Sequence, residues 1–184
     1  MSLEDYEYGL DKIDIAGMGG KKIDELVPIG LRALTLLNYE DRLVSGVLTA
    51  DGVQYLAEVT SGAADTWVDA FTKVIEPGIF GAILWAELGL TAEFQELNTT
   101  TTLTWQWQAR NKGGTWVDLH PAVTEGANTI TSYTARTRQG FASLSANFNQ
   151  VPYELKLRFK TSEANQGKAR VKSSSYAKAV FQAT

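Results

Sequence analysis

The chain has 184 residues, a net charge of −4 and an isoelectric point near 5.1. A hydrophobic share of 44% against 21% charged residues belongs to a chain that folds, with enough apolar side chain for one domain core. The acidic balance argues against phosphate backbones as a general partner, and the absence of cysteine removes disulfides, thiolate nucleophiles and thiolate metal sites.

The start, Met1 to Tyr8, is acidic where a secretory signal needs a basic region and then an apolar run, so no export signal is expected. Residues 1–42 read as an extended or partly helical N-terminal arm. Gly17-Met18-Gly19-Gly20-Lys21-Lys22 and Pro28-Ile29-Gly30 interrupt any periodicity there, and only Leu31 to Leu37 is densely apolar. From residue 43 to 184 the pattern changes to short runs separated by turn residues, the spacing of an antiparallel, jelly-roll-like β-sandwich of seven or eight strands.

Asp51-Gly52 between Val47-Leu48 and Val53 to Leu56 signals a hairpin. The longest apolar stretch, near residues 78–90, contains Glu87 and is too short to span a bilayer, so no membrane partner is expected. Leu84, Ala86, Leu88, Leu90, Ala92 and Phe94 alternate with Trp85, Glu87, Thr91 and Glu93, which predicts a long strand with one apolar face. Leu103 to Arg110 groups Leu103, Trp105, Trp107 and Ala109 on one side, and Asn111-Lys112-Gly113-Gly114 turns the chain into a second hairpin ending at Leu119. Thr129 to Thr137 reads as a further strand, and Phe141 to Phe148 as a possible short helix. Val151 to Lys160 alternates cleanly, with Pro152 tolerable only at its start or an edge. Ala169 to Phe181 closes the chain, with a bulge at Ser173-Ser174-Ser175 expected to switch the buried face.

Little in this pattern carries chemistry. His120 is the lone histidine, and no Gly-x-Ser-x-Gly elbow accompanies it, so a packed or capping loop histidine is expected over a catalytic one. The glycines at 17–20 miss the phosphate-loop spacing. Glu87 and Glu93 share a face with Trp85, as a jelly-roll glycosidase would require, yet they lie too far apart on one strand to act as a pair. Asp65 and Asp69 fall short of a calcium loop, and Asn98-Thr99-Thr100 matches a glycosylation sequon. Trp105 and Trp107 are expected in the core, while Trp85 and Trp116 are expected to be partly exposed and able to stack on a glycan or a partner. The row Lys156, Arg158, Lys160 reads as a solvated face that guards an edge strand or meets an acidic neighbour.

Leu103 to Leu119, with its Trp-x-Trp and Gly-Gly turn, and the closing run Ala169 to Phe181 resemble β-sandwich proteins of tailed viruses that serve as capsid decoration, tail or fibre modules. The resemblance spans roughly the last hundred residues. It implies a non-enzymatic virion protein, without cofactor, metal or nucleic acid, that assembles with itself and other virion proteins through sheet edges and the arm. Tyr6, Tyr8, Leu10 and Ile13 are then the expected interface residues. The competing reading is a carbohydrate-binding module or glycan-binding adhesin that uses Trp85 and Trp116 as platforms.

Overall fold

The structure, a computed structural model, describes residues 36–42, 47–48, 54–55 and 58–183. Among these residues the protein is all β, built as two packed antiparallel sheets and a separate hairpin. Among the described residues there are fourteen strand segments where seven or eight strands were expected, because many are two or three residues long.

The spine of the first sheet is β6 (Gly81–Glu96). On one side β14 (Tyr176–Ala183) and β13 (Gly167–Val171) run along it end to end, flanked by β1 (Leu36–Arg42) and β4 (Val59–Thr60). On the other side lie β10 (Thr134–Phe141) and β11 (Gln150–Val151). The second sheet has the order β5 (Val68–Ile75), β12 (Tyr153–Thr161), β7 (Leu103–Asn111), with β8 (Val117–Asp118) and β9 (Val123–Glu125) beyond β7. The hairpin pairs β2 (Val47–Leu48) with β3 (Gln54–Tyr55), as the Asp51-Gly52 signal predicts.

Alternation decides the core. In β12, Tyr153, Leu155, Leu157 and Phe159 are all buried, and the intervening Glu154, Lys156, Arg158 and Lys160 face outward. Their partners Trp105 and Trp107 in β7 are buried as expected, and Phe94 of β6 stacks on Trp105 with centroids 5.3 Å apart. Each such fully buried side chain contributes about 1.5–3 kcal/mol, so this inter-sheet seam holds the two layers together.

Three local expectations change. Leu84 is exposed rather than buried, because the pairing with β14 steps from Trp85 opposite Val180 to Ile83 opposite Phe181. That bulge reverses the parity of β6, leaving both Leu84 and Trp85 outward while Ile83 and Ala86 point in. Thr129 to Ser132 is not strand, since the Glu96 carboxylate accepts from the Thr129 and Ile130 amides and diverts that backbone from a ladder. No helix forms at residues 141–148, where the Ala142 amide donates to Ala86 and Ser145 bridges to Phe148.

The serine segment is a bulge that keeps the buried face. The chain takes five steps from Val171 to Tyr176 while β6 takes three from Ala92 to Gly89, and an insertion of two preserves alternation. Ser175 fills the gap, its hydroxyl accepting from the Thr91 amide and donating to the Thr91 carbonyl. Pro152 stands between β11 and β12, where the chain leaves one sheet for the other and no ladder amide is required.

Candidate functional site

The outward face of the second sheet is organised around the even positions of β12. This strand is central, paired to β5 on one side and β7 on the other, so its cationic row does not guard an edge. The row meets acids instead: Lys156 reaches Asp69 at 3.4 Å, Arg158 reaches Asp118 at 3.8 Å and Lys160 reaches Asp65 at 3.4 Å. These pairs are partly exposed and each contributes well under about 1 kcal/mol; their effect is to fix geometry.

Two tryptophans fold onto the same row from opposite edges of the sheet. Trp116, in the β7–β8 turn, holds the Arg110 guanidinium 4.3 Å and the Lys156 ammonium 4.4 Å from its ring centre. Trp67, which precedes β5, holds Arg158 at 4.3 Å and Lys160 at 5.6 Å. Both rings are half-buried. Lys156 and Arg158 are two residues apart, about 7 Å along the strand, so the rings flank one short polar strip. In that strip Arg158 donates to the side-chain Oε1 of Gln106, and Gln108 donates to Asp118 at 2.7 Å. Both glutamines are buried although their positions face outward, because the flanking rings and cations cover them. Trp67 escapes sequence reasoning because alternation says nothing about a tryptophan in a turn.

The outward face of the first sheet divides in two. Around the β6 bulge it is apolar: Phe80 is 71% exposed, Leu84 53% and Phe141 72%, and Phe141 lies 5.1 Å from the Trp85 ring. Further along it is ionic. Glu93 accepts from Arg170 at 2.7 Å and lies 3.3 Å from Lys172, while the Glu87 carboxylate accepts from the Tyr176 hydroxyl at 2.7 Å. Arg170 also packs on Tyr133, whose hydroxyl donates to Glu58; burial first and then Glu58 push that phenol well above its ordinary range.

A cleft of about 140 Å³ opens between the sheets beside β10, lined by Leu88, Leu90, Leu119, His120, Arg138 and Phe141 among others. His120 is structural, as its sequence position implies. Its Nε2 accepts the Trp107 amide at 3.0 Å and its Nδ1 contacts the Pro121 carbonyl at 2.6 Å, so the ring is neutral. Burial holds its pKa below the ordinary histidine value. Above it, Glu125 accepts from Arg136 at 2.7 and 2.8 Å and from the Trp105 indole at 3.1 Å; the Arg136 bonds foremost hold its carboxyl below the usual range.

The expected platforms Trp85 and Trp116 are both half-buried and lie on opposite faces of the sandwich, so the fold does not bring them together. Tyr6, Tyr8, Leu10 and Ile13 lie outside the described residues, as does the glycine segment at 17–20. Asp65 and Asp69 are drawn to Lys160 and Lys156, and among the described residues no cluster of three acids or histidines could hold a metal. Asn98 uses its amide in a turn, accepting from Thr100 and Thr101 and donating to Glu163 at 2.7 Å. Among the described residues no helix is long and apolar enough to cross a membrane.

The described residues thus define an antiparallel β-sandwich with two differentiated outer faces. No protein-family model matches the chain, and no curated protein matches it in sequence. Among solved structures it is similar to the T13 particle of IBDV, with 9% identity, a TM-score of 0.49, and coverage of 80% of this chain and 31% of the viral chain. It is similar to the VP2 subviral particle of infectious bursal disease virus, with 11% identity, a TM-score of 0.46, and coverage of 80% and 33%. It is also similar to the xylan-binding module CBM15, with 15% identity, a TM-score of 0.47, and coverage of 81% and 99%. The chain therefore spans about a third of the length of these viral chains.

Proposed function

We propose that the chain is a non-enzymatic structural protein of a virus particle, a capsid or tail component, that associates with further copies of itself and with other virion proteins. The viral assignment follows the sequence resemblance in residues 103–119 and 169–181. The observation that carries the assembly reading is the apolar stripe of Phe80, Leu84, Trp85 and Phe141 on the first sheet. Three large apolar side chains this exposed on one stretch of a sheet, one of them packed on the half-buried Trp85, are what association surfaces present, whereas scattered single residues are ordinary. The absence of catalysis is supported by the engagement of the titratable groups: Glu87 and Glu93 are tied to Tyr176, Arg170 and Lys172, and both His120 nitrogens serve the backbone.

Sedimentation velocity and native mass measurement of the full-length chain test this. A defined oligomer that the double variant Phe80→Glu, Leu84→Glu converts to monomer, with thermal melting unchanged, is the expected result. A wild-type chain that stays monomeric at all concentrations overturns it.

A second reading, glycan binding, is favoured by Trp67 and Trp116, whose half-exposed rings flank the polar row of Lys156, Arg158 and Lys160. Rings at the ends of a polar strip suit a stacked sugar. Tryptophan fluorescence titrated with a glycan panel decides it, with Trp67→Ala and Trp116→Ala as controls; a flat response across the panel removes the reading.

A further inference from the structure

We propose that the outer edge of β10 and the cleft beside it receive the acidic N-terminal segment of a second copy, residues 3–15, as an added strand. This deepens the assembly reading and rests on it.

Three observations on β10 support the acceptor. Its eight residues pair with β6 on one side, and no described strand pairs with the other, so a row of backbone donors and acceptors is open to an extended peptide. Most of the strand is exposed, and it carries neither proline nor a carboxylate that would discourage pairing. Arg138 is exposed and has no carboxylate partner among the described residues; its guanidinium sits 5.3 Å from the Trp105 ring and lines the cleft. The neighbouring Arg136, by contrast, is already neutralised by Glu125. The cleft adds apolar wall from Leu88, Leu90 and Leu119 next to that free cation.

The occupant follows from the same chemistry. A second copy of β10 would bring arginines against arginines, which disfavours a symmetric edge-to-edge pairing. Residues 3–15 carry Glu4, Asp5, Glu7, Asp11 and Asp14 against Lys12 alone. Tyr6, Tyr8 and Leu10 alternate with Asp5, Glu7 and Asp11, so as a strand the segment turns one apolar and one acidic face. Laid on β10 with Asp5, Glu7 and Asp11 turned to the cleft side, the segment neutralises Arg138, and Tyr6, Tyr8 and Leu10 then lie on its opposite face. Residues 16–35 then connect it to β1, a chain long enough to span up to roughly 70 Å and so to reach a neighbouring sandwich.

The acceptor for the test is the full-length chain with Glu4, Asp5 and Glu7 replaced by lysine, so that its own terminus does not compete. A labelled synthetic peptide of residues 3–15 is titrated against it by fluorescence anisotropy, and the wild-type chain is sedimented in parallel. Saturable binding is expected, weakened about tenfold or more by Arg138→Glu and restored when the peptide carries Glu7→Lys. No binding, or binding indifferent to Arg138→Glu, overturns the inference even where the wild-type chain assembles. Binding of the peptide combined with a strictly monomeric wild-type chain overturns both the second-copy assignment and the assembly reading.

Discussion

His120 offers a perturbation that isolates one group, because it is the lone histidine of the chain and no other side chain has an ordinary pKa between pH 5 and 7.5. In the fold its Nε2 must stay unprotonated to accept the Trp107 amide, and burial lowers its pKa. A group whose folded pKa is depressed binds fewer protons in the native than in the unfolded chain. Stability is therefore full above the unfolded value near 6.5 and falls as the pH drops below it, with a slope of at most about 1.4 kcal/mol per unit. The fall stops once the native ring is itself protonated. By then the Trp107 amide faces a donor, and the loss amounts to about 1–3 kcal/mol, the cost of leaving a part-buried donor unpaired. Urea unfolding at pH 7.5, 6.5 and 5.5 measures this directly. His120→Gln should show lower stability at pH 7.5 and no dependence across the window. A flat wild-type profile, or a slope that persists in His120→Gln, would refute the assignment of the neutral ring to the Trp107 amide.

Two further outcomes follow from the seam and its rim. Phe94→Ala removes a ring that is fully buried between Trp105 and Phe159 and should cost about 3–5 kcal/mol, read as a lower urea midpoint at unchanged slope; a loss under about 1.5 kcal/mol would mean that the layers do not meet there. Glu125 has the same pH sign as His120 in a more acid window: its folded pKa is depressed, so its contribution is present above the ordinary carboxylate value near 4.5 and disappears as the pH falls through the folded one. Glu125→Gln should lose about 1–2 kcal/mol at pH 7 and converge with wild type at acid pH, and a difference that stays constant with pH would contradict the Arg136 pairing.

The layers were legible in the sequence because period-two alternation is a direct image of a half-buried strand. Residues 153–160 and 103–109 alternate without interruption, and the fold follows the first residue by residue and the second except at Gln106 and Gln108, which are covered as well. What alternation does not encode is an inserted residue. At Leu84 a single insertion reversed the parity, and at Ser173-Ser174-Ser175 a double insertion kept it; both look alike as interruptions in a one-dimensional pattern. Thr129 to Ser132 misled for a different reason. Its β-branched composition suits a strand, but the carboxylate that captures its amides, Glu96, is more than thirty residues away.

The same limit explains why the candidate surfaces were only half visible. Trp85 and Trp116 both carry the signature of partly exposed aromatics, yet whether two such rings cooperate depends on which sheet each strand joins, and that is set by non-local pairing. The partner of Trp116 proves to be Trp67, which reaches the same cationic row from the other edge of the sheet. The partner of Trp85 is Phe141, delivered by the register of β10 on β6. The bulge at Leu84 links fold to surface here. Without the extra residue, strict alternation would place either Leu84 or Trp85 in the core, and the outer stripe would lose one of its members. The insertion forgoes the burial of one large side chain, about 1.5–3 kcal/mol, to keep both outward. A fold that forgoes that much to expose apolar surface is most simply understood if the surface is covered in the assembled state, which is the physical argument for association through this face.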